Sequence, residues 1–286
     1  MSDTPLFPAV ILRRFAAVAL VVLAIGCSGP QSAAAPDDTT SEAEWRDAEE
    51  AYASFLAAVG GPQGLISALS GSEEAVRARL APYGIGVGVA EADPEDGAGG
   101  PAADNSITGC PQYFASTDRN QWWILPHAGG DEHHYIDASG RASRAVKQLP
   151  LATPSQRSAN CQATVGNWGV PPTDYQGGHL IGYQLGGWGK RANLVPQNGN
   201  FNGGNWAQIE NALAACNTLP GGTTLTYYVE LVYPNATALT PSQFYAQITF
   251  STGAQKTVNF TNTTGGGPGG TATRQALVNW LQANGC

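Results

Sequence analysis

Apolar residues recur at helical spacing early in the chain: Trp45 to Val59 keeps one apolar face, and Ser72 to Leu80 predicts a second helix. Ser41 followed by Glu44 opens the first helix with the pattern of a capping box. After Cys110 the texture changes to short runs rich in aromatic and β-branched residues, broken by Gly, Pro and Asn. Gln121–Leu125 and His133–Asp137 read as strands, with Ser139-Gly140 turning the chain. Thr223–Tyr233, Phe244–Thr252 and Lys256–Thr261 alternate like antiparallel strands, and Thr273–Ala283 suits a closing helix. Glu91 to Ser106 is Gly, Ala, Pro and acid and reads as a linker. No internal repeat is evident. The run Gly265–Gly270 is a flexible loop, lacking the Lys and Ser/Thr of a phosphate-binding P-loop.

The first 27 residues read as a targeting segment. Arg13 and Arg14 form a charged start, Phe15 to Ile25 is an apolar run shorter than a bilayer span, and Gly26-Cys27 closes it. Leu23-Ala24-Ile25-Gly26-Cys27 is similar to a bacterial lipoprotein processing site, which makes Cys27 the candidate for lipidation and a lipid anchor the expected contact with membrane. Ordinary secretion is the alternative, and either route exports the protein. The expected organisation is a targeting segment (1–27), a flexible tether (28–40), a small helical module (41–90), a linker (91–109) and a main domain (110–286).

Export gives the cysteines a meaning. Without Cys27, four remain, Cys110, Cys161, Cys216 and Cys286, and an even number in an oxidising setting predicts two disulfides. Three pairings are open, among them Cys110 to Cys286 with Cys161 to Cys216. No close Cys pair exists, which disfavours a cysteine zinc site. His127, His133 and His134 lack the carboxylate-rich partners that a metal cluster would need.

The chain carries a formal charge of −8, which taken whole argues against a polyanionic partner. The charge is unevenly spread. From Cys110 onward nine Lys and Arg face seven Asp and Glu, a net +2, so the remainder holds −10. A mildly basic domain meets nucleic acid transiently, as a turnover enzyme should.

Candidate chemistry concentrates between Gln176 and Glu210, QGGHLIGYQLGGWGKRANLVPQNGNFNGGNWAQIE. His179 follows Gly177 and Gly178, whose missing Cβ atoms let the backbone bend and a bulky substrate approach. Asn193 opens Asn193-Leu194-Val195-Pro196-Gln197, which Pro196 marks as extended or turning chain. Asn202, Trp206 and Glu210 follow at four-residue spacing, one ridge of a helix whose start Asn202 would cap.

These residues resemble the DNA/RNA non-specific endonucleases, a branch of the ββα-metal nucleases, at the level of motifs between Arg144 and Glu210. The resemblance implies an α+β fold with a ββα-metal core, a mixed or antiparallel sheet and flanking helices, preceded here by the small helical module. It implies His179 as general base, Asn202 as direct metal ligand, Glu210 as the carboxylate orienting metal-bound water, and Asn193 as a site-shaping residue. The family's D-R-G-H motif is represented here by Gln176-Gly177-Gly178-His179, so its Arg is replaced by glycine.

The residue types suit that chemistry. Neutral imidazole takes a proton from water near neutral pH. A hard divalent ion, Mg²⁺ or Mn²⁺, prefers oxygen ligands and keeps several waters, so one Asn carboxamide plus substrate phosphate forms a sufficient inner shell. Helical geometry puts Glu210 about 12 Å along the axis from Asn202, which favours contact through water. An Arg would assist the phosphate, and Arg144, Arg157 and Arg191 are the candidates. The expected activity is hydrolysis of DNA and RNA. Two other readings stand beside it: a non-catalytic surface protein binding nucleic acid or glycan, and a nuclease toxin neutralised by an immunity partner.

Overall fold

Strand alternation survives in a seven-stranded sheet, β1 (Gly86–Val89), β2 (Gln121–Leu125), β3 (Glu132–Ile136), β4 (Ala142–Leu149), β7 (Leu225–Val232), β8 (Gln243–Phe250) and β9 (Gln255–Thr261), ordered as named. All neighbours are antiparallel except β1 and β2, which run parallel. A separate two-stranded sheet pairs β5 (Tyr175–His179) with β6 (Leu194–Asn198). This computed structural model describes residues 40–90, 107–126, 131–149, 157–216 and 223–286. The expectations for the targeting segment and Cys27, for residues 28–39 of the tether, for the linker from 91 to 106 and for His127 lie outside the described residues.

One face of the main sheet is covered by α1 (Glu42–Ala58), α2 (Pro62–Ala68) and α3 (Glu73–Leu80). The capping box forms: the Ser41 hydroxyl accepts from Glu44 N, and Ser41 N donates to the Glu44 carboxylate at 2.8 Å. Tyr52, Phe55, Leu65, Val76 and Leu80 from the helices pack with Trp122, Tyr135, Val146 and Tyr228 from the strands. Residues 41–90, expected as a module of their own, therefore share a core with the sheet, and Asp38–Cys286 form one compact unit. The physical reason is that three short amphipathic helices cannot bury their apolar faces against each other alone. Among the described residues no helix is long and apolar enough to cross a membrane.

The opposite face carries the β5–β6 hairpin, α4 (Ala159–Gly166) and a helical run made of α5 (Gly199–Phe201), a π-helical turn (Asn202–Trp206) and α6 (Ala207–Ala215), closed by α7 (Gly270–Ala283). Trp206 is fully buried among Phe201, Phe244 and Phe260, with ring centroids at 5.6, 5.3 and 6.3 Å. Burying each such ring contributes about 1.5–3 kcal/mol, enough to fix the helical run on β8 and β9. The disulfides join Cys110 to Cys161 and Cys216 to Cys286. Of the three open pairings this one ties α4 to residue 110 and α6 to the end of α7.

Candidate active site

Two short strands build the floor of the site. In the β5–β6 register Gly177 lies opposite Pro196, Gly178 opposite Val195 and His179 opposite Leu194. The two glycines are needed, but the close approach comes from the protein itself. A Cβ at Gly177 would lie 2.4 Å from the Gln162 carbonyl oxygen in α4, and one at Gly178 would lie 2.0 Å from Gln197 Oε1. The expected room for substrate at this pair is filled by α4 and Gln197.

His179 ends β5 and is 7% exposed, with its ring Nε2 buried and without a hydrogen-bond partner among the described residues. Its carbonyl accepts from the Trp206 indole at 3.1 Å, which ties the strand end to the helical run. Burial first, and then the Arg157 charge, push its pKa down to about 4. At neutral pH the imidazole is unprotonated and free to accept a proton.

Asn193 is consumed by the backbone. Its Oδ1 accepts from Ile181 N at 2.9 Å, and its Nδ2 donates to Ile181 O and Trp188 O, both at 2.9 Å. Fully buried, it pins both ends of the 181–188 loop beside His179 and touches no open space.

The helical run begins earlier than its spacing predicts. Asn198, not Asn202, is the N-cap, its side chain accepting from Phe201 N at 3.2 Å. Asn202 sits one turn further on, where the helix loosens into the π turn and Gly204 leaves helical φ/ψ. The 202–206–210 ridge is therefore not an unbroken α-helical row. Asn202 is half-buried, and its Nδ2 donates to Gln176 Oε1 at 3.0 Å. That bond turns the amide so that Oδ1 takes no hydrogen bond among the described residues. Among the described residues nothing lies within 4 Å of a would-be Cβ at Gly203 or Gly204 beside it.

Glu210 is buried, and one oxygen, Oε1, has no partner among the described residues, while Oε2 accepts from Gln184 Nε2 at 3.3 Å. Burial raises its pKa to about 8, against smaller lowering effects from Gln184, Trp206 and Arg157. Gly182 makes room for it: a Cβ there would meet the Glu210 carboxyl carbon at 2.6 Å.

The three candidate arginines separate. Arg144 is buried on the far face, paired with Glu49 and, at 3.1 Å, with Glu230, and stacked 3.8 Å from the Tyr52 ring centroid. Arg191 is buried, donating to Leu194 O at 2.6 Å, and its electrostatic neighbours are Tyr233, Asp137, Arg141 and Tyr113. Arg157 alone acts on both His179 and Glu210.

Several supporting residues carry no sequence motif. Glu132, buried on β3, pairs with His134, accepts from Lys147 Nζ at 3.5 Å, and accepts from Trp188 N at 3.1 and 2.9 Å. Lys147 also donates to Gly186 O at 2.8 Å, so this charged group holds the 182–188 loop from below. The faint signal was the same-face pair Glu132 and His134 on a strand. Among the described residues no group of three His, Cys, Asp or Glu is placed to hold a metal.

Residues 124–251 match the family model for DNA/RNA non-specific endonuclease, a range that includes His179, Asn202 and Glu210. No curated protein matches the chain. Among solved structures it is similar to NucA from Streptococcus agalactiae with magnesium ion bound, at 19% identity over 46% of this chain and 71% of that one, with a TM-score of 0.36. It is also similar to a protein described as an extracellular endonuclease, at 22% identity over 49% and 82%, with a TM-score of 0.36. A third is the Sda1 nuclease with bound zinc ion, at 20% identity over 49% and 77%, with a TM-score of 0.35. The match over residues 124–251 identifies that stretch as a DNA/RNA non-specific endonuclease domain, and the protein is an endonuclease.

Proposed function

We propose that the protein is an exported, metal-dependent endonuclease that hydrolyses DNA and RNA, with His179 as general base, Asn202 holding the metal and Glu210 positioned behind it. The observation that carries this reading is a buried imidazole, unprotonated at neutral pH, and a buried carboxyl, both next to Trp206 and both under the Arg157 charge, each with one atom that has no partner among the described residues. Two disulfides support export.

The residues present fit a hard divalent ion. Asn202 offers one open carboxamide oxygen next to two glycines with free space, and no clustered His, Cys, Asp or Glu set competes for a softer ion among the described residues. Bound there, Mg²⁺ or Mn²⁺ supplies Lewis acidity toward the phosphate oxygens. The chain's own groups do the rest. The His179 imidazole takes a proton from the attacking water as the oxygen–phosphorus bond forms. The phosphorus–oxygen bond to the leaving sugar breaks, and that oxygen is protonated from solvent. Gln176 orients Asn202, and Gln184 with Gly182 seats Glu210.

Digestion of plasmid and of RNA by the purified protein tests the reading. Cutting should require Mg²⁺ or Mn²⁺, stop with EDTA, and fall sharply in Asn202→Ala. Undiminished cutting in EDTA would overturn the metal mechanism, and retention of nucleic acid without turnover would favour a binding protein instead.

A further inference from the structure

Resting on the nuclease reading above, we propose that Arg157 is the phosphate-binding cation of this site, delivered by the lead-in to α4 rather than by the strand that carries His179. The strand has no room for one. A side chain at 177 would run into the α4 backbone, with Gln162 O, Cα and carbonyl carbon at 2.4, 2.7 and 2.9 Å from its Cβ. The helix that closes this position brings its own arginine, just before its N-cap Ser158.

Helix α4 is held firmly where this requires. Ser158 caps it by accepting from Cys161 N at 3.4 Å, and Cys161 is bonded to Cys110. Gln162 Nε2 donates to Gly177 O at 3.3 Å, and the absence of a side chain at Gly166 lets the helix settle against Gln176, whose Cα would lie 3.0 Å from a Cβ there. The start of α4 therefore has a fixed place relative to the strand ending in His179.

The Arg157 side chain is exposed, and its guanidinium carbon lies 4.3 Å from the Tyr183 ring centroid. Stacking occupies the flat face of a guanidinium and leaves its in-plane N–H donors directed outward, the arrangement that receives two phosphate oxygens. Tyr183 belongs to the turn whose next residue, Gln184, donates to Glu210, so the platform is part of the site. Arg157 is also the one cation among the described residues whose charge acts on both His179 and Glu210. Arg144 and Arg191 are held elsewhere by the partners described above. Positive charge at this point offsets the negative charge that grows on the non-bridging oxygens as water attacks.

Plasmid cleavage in Mg²⁺, measured for wild type, Arg157→Ala, Arg157→Lys and a His179→Ala control, tests the assignment. Arg157→Ala should lower kcat by about 100-fold while leaving the melting temperature in place. Arg157→Lys should keep part of the rate, and millimolar guanidinium should restore part of it to Arg157→Ala but not to His179→Ala. A rate for Arg157→Ala close to wild type, or a loss that guanidinium does not relieve, overturns the proposal. Cutting by wild type and its loss in His179→Ala leave the nuclease reading standing in that event, whereas a wild type that does not cut overturns that reading itself.

Discussion

Two sets of buried ionisable groups lie on opposite faces of the main sheet and are treated in opposite ways. On the helical face Arg144 is saturated, with Glu49 and Glu230 as ion partners and the Tyr52 and Tyr135 rings at 3.8 and 5.3 Å. On the other face His179 and Glu210 each keep an atom without a partner among the described residues, and Arg157, whose charge acts on both, stacks on the Tyr183 ring. Burial is similar; satisfaction is not. A buried charge paired from two sides holds structure together, because removing one partner strands the others. Buried ionisable groups left open, with pKa values moved to about 4 and about 8, are what a site waiting for substrate and metal looks like.

The largest effect on stability is expected from the saturated side. Arg144→Ala leaves Glu49 and Glu230 facing the sheet without their cation, and should cost about 3–5 kcal/mol in denaturant unfolding. Cutting per folded molecule should be unchanged. Lost activity in a fully folded Arg144→Ala protein would erase the distinction between the two faces.

An effect of opposite sign, growing with pH, is expected at the open side. The Glu210 pKa is raised in the fold from 4.5 to about 8. A group raised in this way contributes its stability below the unfolded pKa and loses it as pH climbs through the folded one. Glu210→Gln keeps the shape, the acceptor for Gln184 and no charge. Without metal its melting temperature should exceed that of wild type by a margin that widens from pH 4.5 to about pH 8, while cutting is lost. A margin independent of pH would show that Glu210 is not held protonated by burial.

The contrast between the faces was only partly legible in the sequence. Helices α1 and α3 and strands β2, β3, β7, β8 and β9 follow apolar periodicity, and they appear within a few residues of where it places them. Strand β4 hides because Ser143, Arg144 and Lys147 occupy buried positions, where alternation looks for apolar side chains. What makes them tolerable, Glu49, Glu230 and Glu132, comes from distant parts of the chain. The helix start was misplaced for a local reason: Asn198 and Asn202 are both eligible caps, and only the backbone shows which one accepts from an N–H. The three arginines were equivalent as letters. Their separation needed the positions of Glu49, Leu194 and Tyr183, which no spacing rule supplies.

The helical segment illustrates the same limit. A composition break at 91–109 predicts a boundary, yet β1 pairs with β2 and the first three helices bury their apolar faces on the sheet. A linker in sequence does not imply independence in space.

The central claim is that the open face performs the chemistry and that His179 is its base. Plasmid cleavage by His179→Ala, compared with wild type in the same Mg²⁺ buffer and with melting temperatures recorded alongside, tests it most directly. The rate should fall about 10²–10⁴-fold with the fold intact. Cutting at the wild-type rate by a folded His179→Ala protein would contradict it.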